Sequence, residues 1–224
     1  MRVTQPDDKP SVRSVPSGPG DAAARAASTE DAEYTRRLRE LQGARWKRVL
    51  NVQAPYRWNV RHHLGSRRAL DLGCGIGRNL RHLAPGSVGV DHNASSVAFC
   101  RSLGMDAFTP EDFLEASSDG RLAPFDALLV SHVLEHLEPG SQVEMLRPYV
   151  ERLAAGAQVL VVCPQERGYA SDPTHTDFVD DRRIAQALDQ LGVVVDGSRS
   201  FPFPRWTGRF FIYNEFVVHG HLPA

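Results

Sequence analysis

The sequence predicts an α/β fold: a seven-stranded, mostly parallel sheet with helices on both faces and a C-terminal antiparallel hairpin. Two observations predict it. Short apolar runs alternate with helix-like segments from residue 68 onwards, and the last two apolar runs follow each other without a helical pattern between them. Alternating strands and helices are typical of parallel sheets buried on both faces. Strands joined without a helix pair antiparallel.

The elements follow one another in a regular order. Helices are predicted from about Arg78, from about Ala94 and in the segment RRIAQALDQLG. Ser141 followed by Glu144 is typical of a capping box, so a further helix is expected from there through Leu153. The predicted strands lie in RALDLGCG, SVGVDHN, MDAFTPEDF, FDALLVSHVL, AQVLVVCP, GVVVDGSRSF and FFIYNEFVVHG.

Three regions differ in composition. Residues 1–30 are rich in Pro, Ser, Gly, Asp and Ala and offer almost no bulky apolar side chain, which is typical of a disordered tail. Residues 31–66 carry amphipathic patterns interrupted by Pro55, and we expect an N-terminal helical lid there. Residues 67–224 are then expected to form one domain around one core.

The overall composition bounds the function. The 224 residues are 42% hydrophobic and 24% charged with a net charge of −1, so no general attraction to polyanions is expected and nucleic acid is not the expected partner. Cys74, Cys100 and Cys163 occur singly, which fits a reducing compartment. No membrane-length apolar stretch and no secretory signal is present, so we expect a cytoplasmic protein without a membrane partner. The oligomeric state is left open.

A glycine-rich turn follows the first predicted strand. LDLGCGIGRNL places three glycines behind that strand, and Asp91 ends the next strand in GVDHN. Glycines let a ligand approach the backbone, and a carboxylate at that distance can hold ribose hydroxyls. The G-x-G-x-G spacing, with Asp71 two positions before the first glycine, differs from the G-x-G-x-x-G of dinucleotide binders.

LDLGCGIGRNL followed by GVDHNASSV closely resembles the first two motifs of class I S-adenosylmethionine (SAM)-dependent methyltransferases, and the strand order fits that family. The resemblance implies a SAM-binding methyltransferase domain at 67–224. It implies that the glycines wrap the methionine part of SAM, that Asp71 binds its amino group and that Asp91 takes both ribose hydroxyls. It also places His92 beside the adenine and PEDF at the adenine amino group. The implied cofactor-binding residues are Asp71, Gly73, Gly75, Gly77, Asp91, His92, Asp112 and Phe113.

A polar cluster, SHVLEHL, follows the fourth strand and contains His132, Glu135 and His136. H-x-x-E-H is also the pattern of inverted zinc peptidases, but those enzymes place it in a long helix, and here a proline and a glycine follow at once. A later segment, DPTH, places His175 in the loop after the neighbouring strand. Loops beyond the carboxyl ends of adjacent strands converge on one crevice, so we expect His175 to face Glu135 and His136.

This cluster resembles the E-x-x-E-H motif of metal-dependent small-RNA 2′-O-methyltransferases and of ubiquinone-pathway O-methyltransferases, with His132 in place of the first Glu. The resemblance implies a metal site of His132, Glu135, His136 and His175. Imidazoles with one carboxylate suit Zn, Mn or Fe by softness, yet a substrate-orienting Mg²⁺ or Mn²⁺ is favoured because Zn is normally structural or hydrolytic. A metal-free site stays open, with His136 or His175 as general base held by Glu135 or Asp172. The predicted catalytic residues are His136, His175 and Glu135.

The acceptor is predicted from the surroundings of the crevice. In this family the regions before the domain and between the last two strands cap the substrate, so Tyr56, Arg57 and Trp206 are predicted to bind it. Aromatic faces stack on sugar rings or enclose lipids. PYRWNVRHHL and PQERGYASDPTH also resemble actinobacterial methyltransferases, among them enzymes of methylated-polysaccharide synthesis.

The predicted function is SAM-dependent O-methylation of a small polar acceptor, such as a sugar or an oligosaccharide. Two alternatives stay open. One is 2′-O-methylation of the terminal ribose of RNA, for which an electropositive groove would be expected. The other is a non-catalytic SAM-binding regulator.

Overall fold

The computed structural model describes residues 53–224; the predicted tail and most of the predicted lid lie outside the described residues. The described part begins with helix α1 (Ala54–Leu64), the end of the predicted lid. Pro55 lies in its first turn, where a missing N–H costs nothing because that group has no helical partner. Val60 and Leu64 of α1 are buried against one face of the sheet.

The sheet confirms the predicted fold class. Its strand order is β3-β2-β1-β4-β5-β7-β6, and β7 pairs antiparallel with both β5 and β6 while the other pairs are parallel. The strands are β1 (Ala69–Leu72), β2 (Val88–Val90), β3 (Ala107–Phe108), β4 (Phe125–Ser131), β5 (Leu153–Pro164), β6 (Val194–Phe201) and β7 (Glu215–His221).

Helices connect the parallel strands. Asn93, Thr109 and Asp180 each accept a hydrogen bond from a first-turn backbone N–H and so cap the helices that follow them. The remaining helices are α2 (Ala94–Ser102), α3 (Pro110–Ser118), α4 (Gln142–Val150), α5 (Glu166–Tyr169) and α6 (Asp181–Asp189), and short 3₁₀ turns lie at Leu80–His82, Leu134–His136 and Arg205–Arg209.

The helix predicted from about Arg78 is wrong: only the 3₁₀ turn Leu80–His82 forms there. Pro85 follows three residues after that turn and disfavours helical backbone at the residue before it, so the segment is too short for an α-helix.

The capping box predicted at Ser141 is also wrong. The Ser141 hydroxyl donates to the Glu138 carbonyl at 2.7 Å instead of capping α4. Helix α4 ends at Val150, and Leu153, predicted as its last residue, pairs with Phe125 of β4. The strand therefore takes residues that the sequence pattern gave to the helix.

Two apolar layers, one on each face, enclose the sheet. In β4, Leu128 and Val130 belong to the larger cluster, while Ala127 and Leu129 belong to the smaller one under α1. This alternation is that of a strand buried on both faces.

The loops that follow β1, β2, β4 and β5 leave the sheet at one edge, formed by the carboxyl ends of these strands, and the candidate site lies there. No helix within residues 53–224 is both long and apolar enough to cross a membrane.

Candidate active site

The glycine loop folds back onto strand β2. The backbone N–H groups of Gly73 and Cys74 both donate to the Val90 carbonyl, at 2.8 and 3.1 Å. Gly73 has φ 73°, and a Cβ atom there would lie 2.2 Å from Cγ2 of Val133, so only glycine fits. At Gly75, with φ 51°, a Cβ would meet no described atom within 4 Å. The loop is therefore packed on one side and open on the other.

Asp91 holds this loop in place. Its Oδ2 accepts from the Gly75 N–H at 2.7 Å, and its Oδ1 accepts from the Asn93 N–H at 2.9 Å. Each carboxylate oxygen has two lone pairs, so Asp91 retains capacity for the ribose hydroxyls. His92 is 86% exposed beside it, and Gly77 packs closely on Met105.

Asp71 lies beneath the loop and is only 1% exposed. Its Oδ2 is buried and has no hydrogen-bond partner among residues 53–224. Burial, and then the negative charge of Asp91, raise the pKa of Asp71 to about 7. An unpaired buried carboxylate oxygen is unfavourable, and a cationic group would relieve it. The residue therefore fits the amino group of SAM.

The two residues predicted to contact adenine, Asp112 and Phe113, lie in different environments. Asp112 is half-exposed in the first turn of α3, 3.5 Å from the Arg101 guanidinium. Phe113 is fully buried instead, with its ring 6.0 Å from that of Phe125 and 5.7 Å from that of Tyr149. One helical step turns a side chain by about 100°, which takes Phe113 into the core. Its predicted adenine contact does not agree with this position.

A second group of side chains in the candidate site brings together three predicted residues. One carboxylate oxygen of Glu135 and one ring nitrogen each of His136 and His175 lie within 4.8 Å of one another. The backbone N–H of Thr176 donates to the Glu135 carbonyl at 2.8 Å, and the Thr176 hydroxyl donates to the Leu137 carbonyl at 2.7 Å. These bonds fasten the loop after α5 to the turn after β4, so the expected convergence is confirmed.

Backbone carbonyls set the tautomers of the two imidazoles. Nδ1 of His175 lies 2.7 Å from the Tyr169 carbonyl oxygen, and Nδ1 of His136 lies 3.3 Å from that of Thr174. Because a carbonyl oxygen only accepts, each Nδ1 carries a proton, and Nε2 is the ring nitrogen left for another partner. Asp172 accepts from the N–H and hydroxyl of Thr174, and so supports His136 through that residue.

His132 has a different environment. Its Nδ1 lies 3.1 Å from Glu135 Oε1 and its Nε2 lies 2.9 Å from Glu215 Oε1. Burial would lower the pKa of His132, but the hydrogen bonds and charges of both carboxylates raise it to about 10. The ring is then an imidazolium without a free lone pair, so the predicted role of His132 as a metal ligand does not agree with the geometry.

The positive charge of His132 lowers the pKa of the neighbouring Glu135. Burial would raise its pKa, but the hydrogen bond and charge of His132 lower it below the usual range. Its Oε2 is buried and forms no hydrogen bond of ordinary geometry with a described residue, although Glu135 lies close enough to the buried Cys163 thiol to add to the rise that burial causes in the pKa of that thiol. Glu135 is thus an ionised carboxylate with one oxygen held by His132 and a buried thiol nearby.

Residues 70–160, which contain the glycine loop and the SHVLEHL turn, match a family model described as a methyltransferase domain. These residues therefore carry a methyltransferase domain. Together with the strand order of the sheet, the match confirms the predicted fold class, the predicted enzyme class and SAM as the predicted organic cofactor. A sequence comparison with curated proteins finds no significant match.

Solved methyltransferases share the fold. A SAM-dependent methyltransferase from Archaeoglobus fulgidus has a TM-score of 0.60 at 21% identity, over 76% of this chain and 92% of that chain. N-methyltransferase NodS from Bradyrhizobium japonicum, in complex with S-adenosyl-L-homocysteine, has a TM-score of 0.57 at 16% identity, over 75% and 86%. The 1,6-didemethyltoxoflavin-N1-methyltransferase of Burkholderia thailandensis has a TM-score of 0.57 at 16% identity, over 95% and 94%.

The methyltransferase has an aromatic loop between β6 and β7. Trp206 is 67% exposed and lines an open apolar cavity of about 460 Å³ with Phe203, Thr207, Phe210 and Phe211. The loop leaves β6 at Phe201 and returns to β7 at Glu215, which pairs with Pro164 at the carboxyl end of β5. Trp206 therefore lies at the same edge of the sheet as the imidazoles.

The other two predicted substrate residues lie on α1. The Tyr56 hydroxyl donates a hydrogen bond to the Tyr213 carbonyl oxygen at 2.8 Å, so Tyr56 anchors the aromatic loop. Arg57 lies near His82, whose pKa is lowered by burial and then by the charge of Arg57.

Sequence reasoning missed two kinds of residue: the carboxylate that contacts His132, and the side chains that hold the aromatic loop in place. Glu215 is 8% exposed on β7, and a carboxylate within an apolar run is a signal of a paired or functional group. Arg205 makes two hydrogen bonds with Glu166 of α5, at 2.7 and 2.6 Å. The buried Gln165 and Asn214 side chains hydrogen-bond to each other at 2.9 Å beneath the loop.

Proposed function

We propose that this methyltransferase acts on a hydroxyl group of a small polar acceptor, with a sugar or an oligosaccharide as the favoured class. The observation that carries the proposal is the convergence of Glu135, His136 and His175 next to the glycine loop. Gly73 of that loop is in contact distance of Val133 in the same turn as Glu135. The two halves of the site are therefore adjacent.

The chain supplies what a hydroxyl acceptor needs. An alcohol is a poor nucleophile at neutral pH, and SAM, when bound, supplies a methyl group on a positively charged sulfur. His175 is oriented by the Tyr169 carbonyl, and its Nε2 lone pair can take the hydroxyl proton. The nearby Glu135 carboxylate would stabilise the imidazolium that forms.

The same three side chains fit a divalent metal ion. One ring nitrogen from each histidine and one carboxylate oxygen of Glu135, all within 4.8 Å of one another, are donors that such an ion can bind. Glu135, His136 and His175 would hold it, and it would lower the pKa of the acceptor hydroxyl and fix its orientation. We propose Mg²⁺ or Mn²⁺, of which Mn²⁺ suits two imidazoles better.

The surroundings support a sugar over RNA. The exposed face of Trp206 and its aromatic neighbours offer a stacking surface for a sugar ring. The net charge of −1 offers no general attraction for a polyanion.

All three cysteines are free, which supports a cytoplasmic location.

Transfer of a radioactive methyl group from SAM tests the proposal. The acceptor panel contains sugars and oligosaccharides with neighbouring hydroxyls, primary and ring amines, and single-stranded RNA with a free 3′ ribose. The expected result is a labelled sugar hydroxyl, with transfer reduced about 100-fold or more by His175→Ala, the range typical of a lost general base. His221→Ala is the matched control, since His221 pairs with Asp196 on the surface. Transfer to RNA or amines with none to sugars would contradict the proposal.

The metal is tested on the same protein after removal of bound ions with EDTA. We expect Mn²⁺ or Mg²⁺ to restore transfer and to raise the melting temperature of the wild type and of His221→Ala. His136→Ala should lose both responses. Full activity in EDTA would favour the metal-free site, with His175 as the general base.

A further inference from the structure

The backbone at His132 is unusual. Within residues 53–224 it is the only non-glycine residue with a positive φ, at 57°. A non-glycine side chain in this region is strained, and such strain persists only where the surrounding contacts hold it. The contacts that hold it here are the two carboxylates, Glu135 at one ring nitrogen and Glu215 at the other.

The two carboxylates that His132 joins come from different elements. Glu135 lies in the turn after β4, and Glu215 is the first residue of β7, 83 positions after His132. Both are buried, with 1% and 8% exposure. Without the His132 ring between them, each of these buried carboxylates would lose a hydrogen-bond partner. The ring therefore links the Glu135 carboxylate to β7.

The hydrogen bond from His132 to Oε1 of Glu135 also fixes the position of Oε2. With Oε1 of Glu135 held by His132, the orientation of the whole carboxylate is fixed, and Oε2 is the oxygen that forms no hydrogen bond with a described residue. A ligand of this kind depends on a partner that sets its rotamer, and such partners are as important for geometry as the ligands themselves.

We propose that His132 is a positioning residue, which holds the Glu135 carboxylate against His136 and His175 and ties it through Glu215 to the strand behind the aromatic loop. The proposal rests on the proposed function for the role of Glu135. It replaces the four-ligand site of the sequence prediction by a three-ligand site, with the His132 ring hydrogen-bonded to Glu135 behind it.

The test compares His132→Asn with the wild type. Asn tolerates a left-handed backbone better than other non-glycine residues, so the variant should fold, but its side chain is too short to reach Glu215. His221→Ala serves again as the control, because it removes an imidazole whose Nδ1 contacts both oxygens of a single carboxylate, that of Asp196 on the surface. Crystal structures with bound S-adenosylhomocysteine, Mn²⁺ titration followed by electron paramagnetic resonance, and methyl-transfer kinetics are the three measurements.

In His132→Asn we expect the Glu135 carboxylate to leave the group that it forms with the two imidazoles. We expect Mn²⁺ affinity to fall by about 10- to 100-fold, the usual effect of losing a partner behind a metal ligand. The kcat for methyl transfer should fall more than KM changes. The control should show none of these effects.

Two outcomes would overturn the proposal. In the first, Glu135 keeps its position in the variant crystals. In the second, the melting temperature falls while kcat is unchanged, which indicates a purely structural link between β4 and β7. If the wild type binds no divalent ion, the metal of the proposed function fails, and the position of Glu135 and the kcat of the variant still decide the role of His132.

Discussion

Asp71 and Glu135 are two buried carboxylates with opposite electrostatics. Each is 1% exposed, and Asp71 lies near the carboxyl end of β1 while Glu135 follows the neighbouring β4. Each has one buried oxygen without a described partner. Yet burial and Asp91 raise the pKa of Asp71 to about 7, whereas His132 outweighs burial and lowers the pKa of Glu135.

Burial raises the pKa of both carboxyls, and the nearest charged neighbour decides whether that rise is reinforced, as at Asp71, or reversed, as at Glu135. Asp71 faces another acid and lacks a cation, so a cationic ligand would complete it. Glu135 already has a cation from the protein. In the proposed site, the cofactor side would gain its charge balance from the ligand, while Glu135 on the acceptor side already has a partner in His132.

The largest expected effect comes from the point where the two sides touch. In Gly73→Ala the new Cβ would lie 2.2 Å from Cγ2 of Val133, at a φ of 73°. We expect a loss of about 2–5 kcal/mol in the free energy of unfolding, from left-handed strain and overpacking together. Urea denaturation measures it. Adding Val133→Ala should recover the overpacking part of the loss but leave the strain, and additive effects of the two changes would show that the sides are not in contact.

The second prediction removes the charge on the cofactor side. Asp71→Asn keeps the size of the side chain but cannot pair with an ammonium group. We expect affinity for S-adenosylhomocysteine to fall by about 10- to 100-fold, the worth of a hydrogen bond to a charged group. Isothermal titration calorimetry measures it, with Asp126→Asn, exposed on β4, as the control. Equal affinity in wild type and Asp71→Asn would assign the ammonium group another partner.

The third prediction uses the raised pKa of Asp71. Its carboxyl is protonated below about pH 7 in the free protein, and an ammonium ligand requires the ionised form. Affinity for S-adenosylhomocysteine should therefore rise with pH through that range, by up to about tenfold per unit below the pKa. In Asp71→Asn this dependence should disappear. A wild-type affinity that falls as pH rises through 7 contradicts the assignment.

The two sides also differ in how far the sequence predicts them. Asp71, the glycines and Asp91 lie close together in the chain, so a local motif reveals them. The meeting of Glu135 with His175 followed from the topology, because loops after adjacent parallel strands share an edge. The bond from His132 to Glu215 did not, since it depends on the insertion and register of antiparallel β7 beside β5.

The smallest expected effect tests whether the acceptor side is independent of Asp71. Trp206 is 67% exposed in the aromatic loop, so Trp206→Ala removes a stacking surface without opening the core. KM for the sugar acceptor should rise by about 2- to 10-fold, the worth of one aromatic contact. Affinity for S-adenosylhomocysteine and the melting temperature should stay at wild-type values. If cofactor affinity falls with KM unchanged, the aromatic loop serves the cofactor, and the division between a ligand-completed side and an organised acceptor side no longer holds.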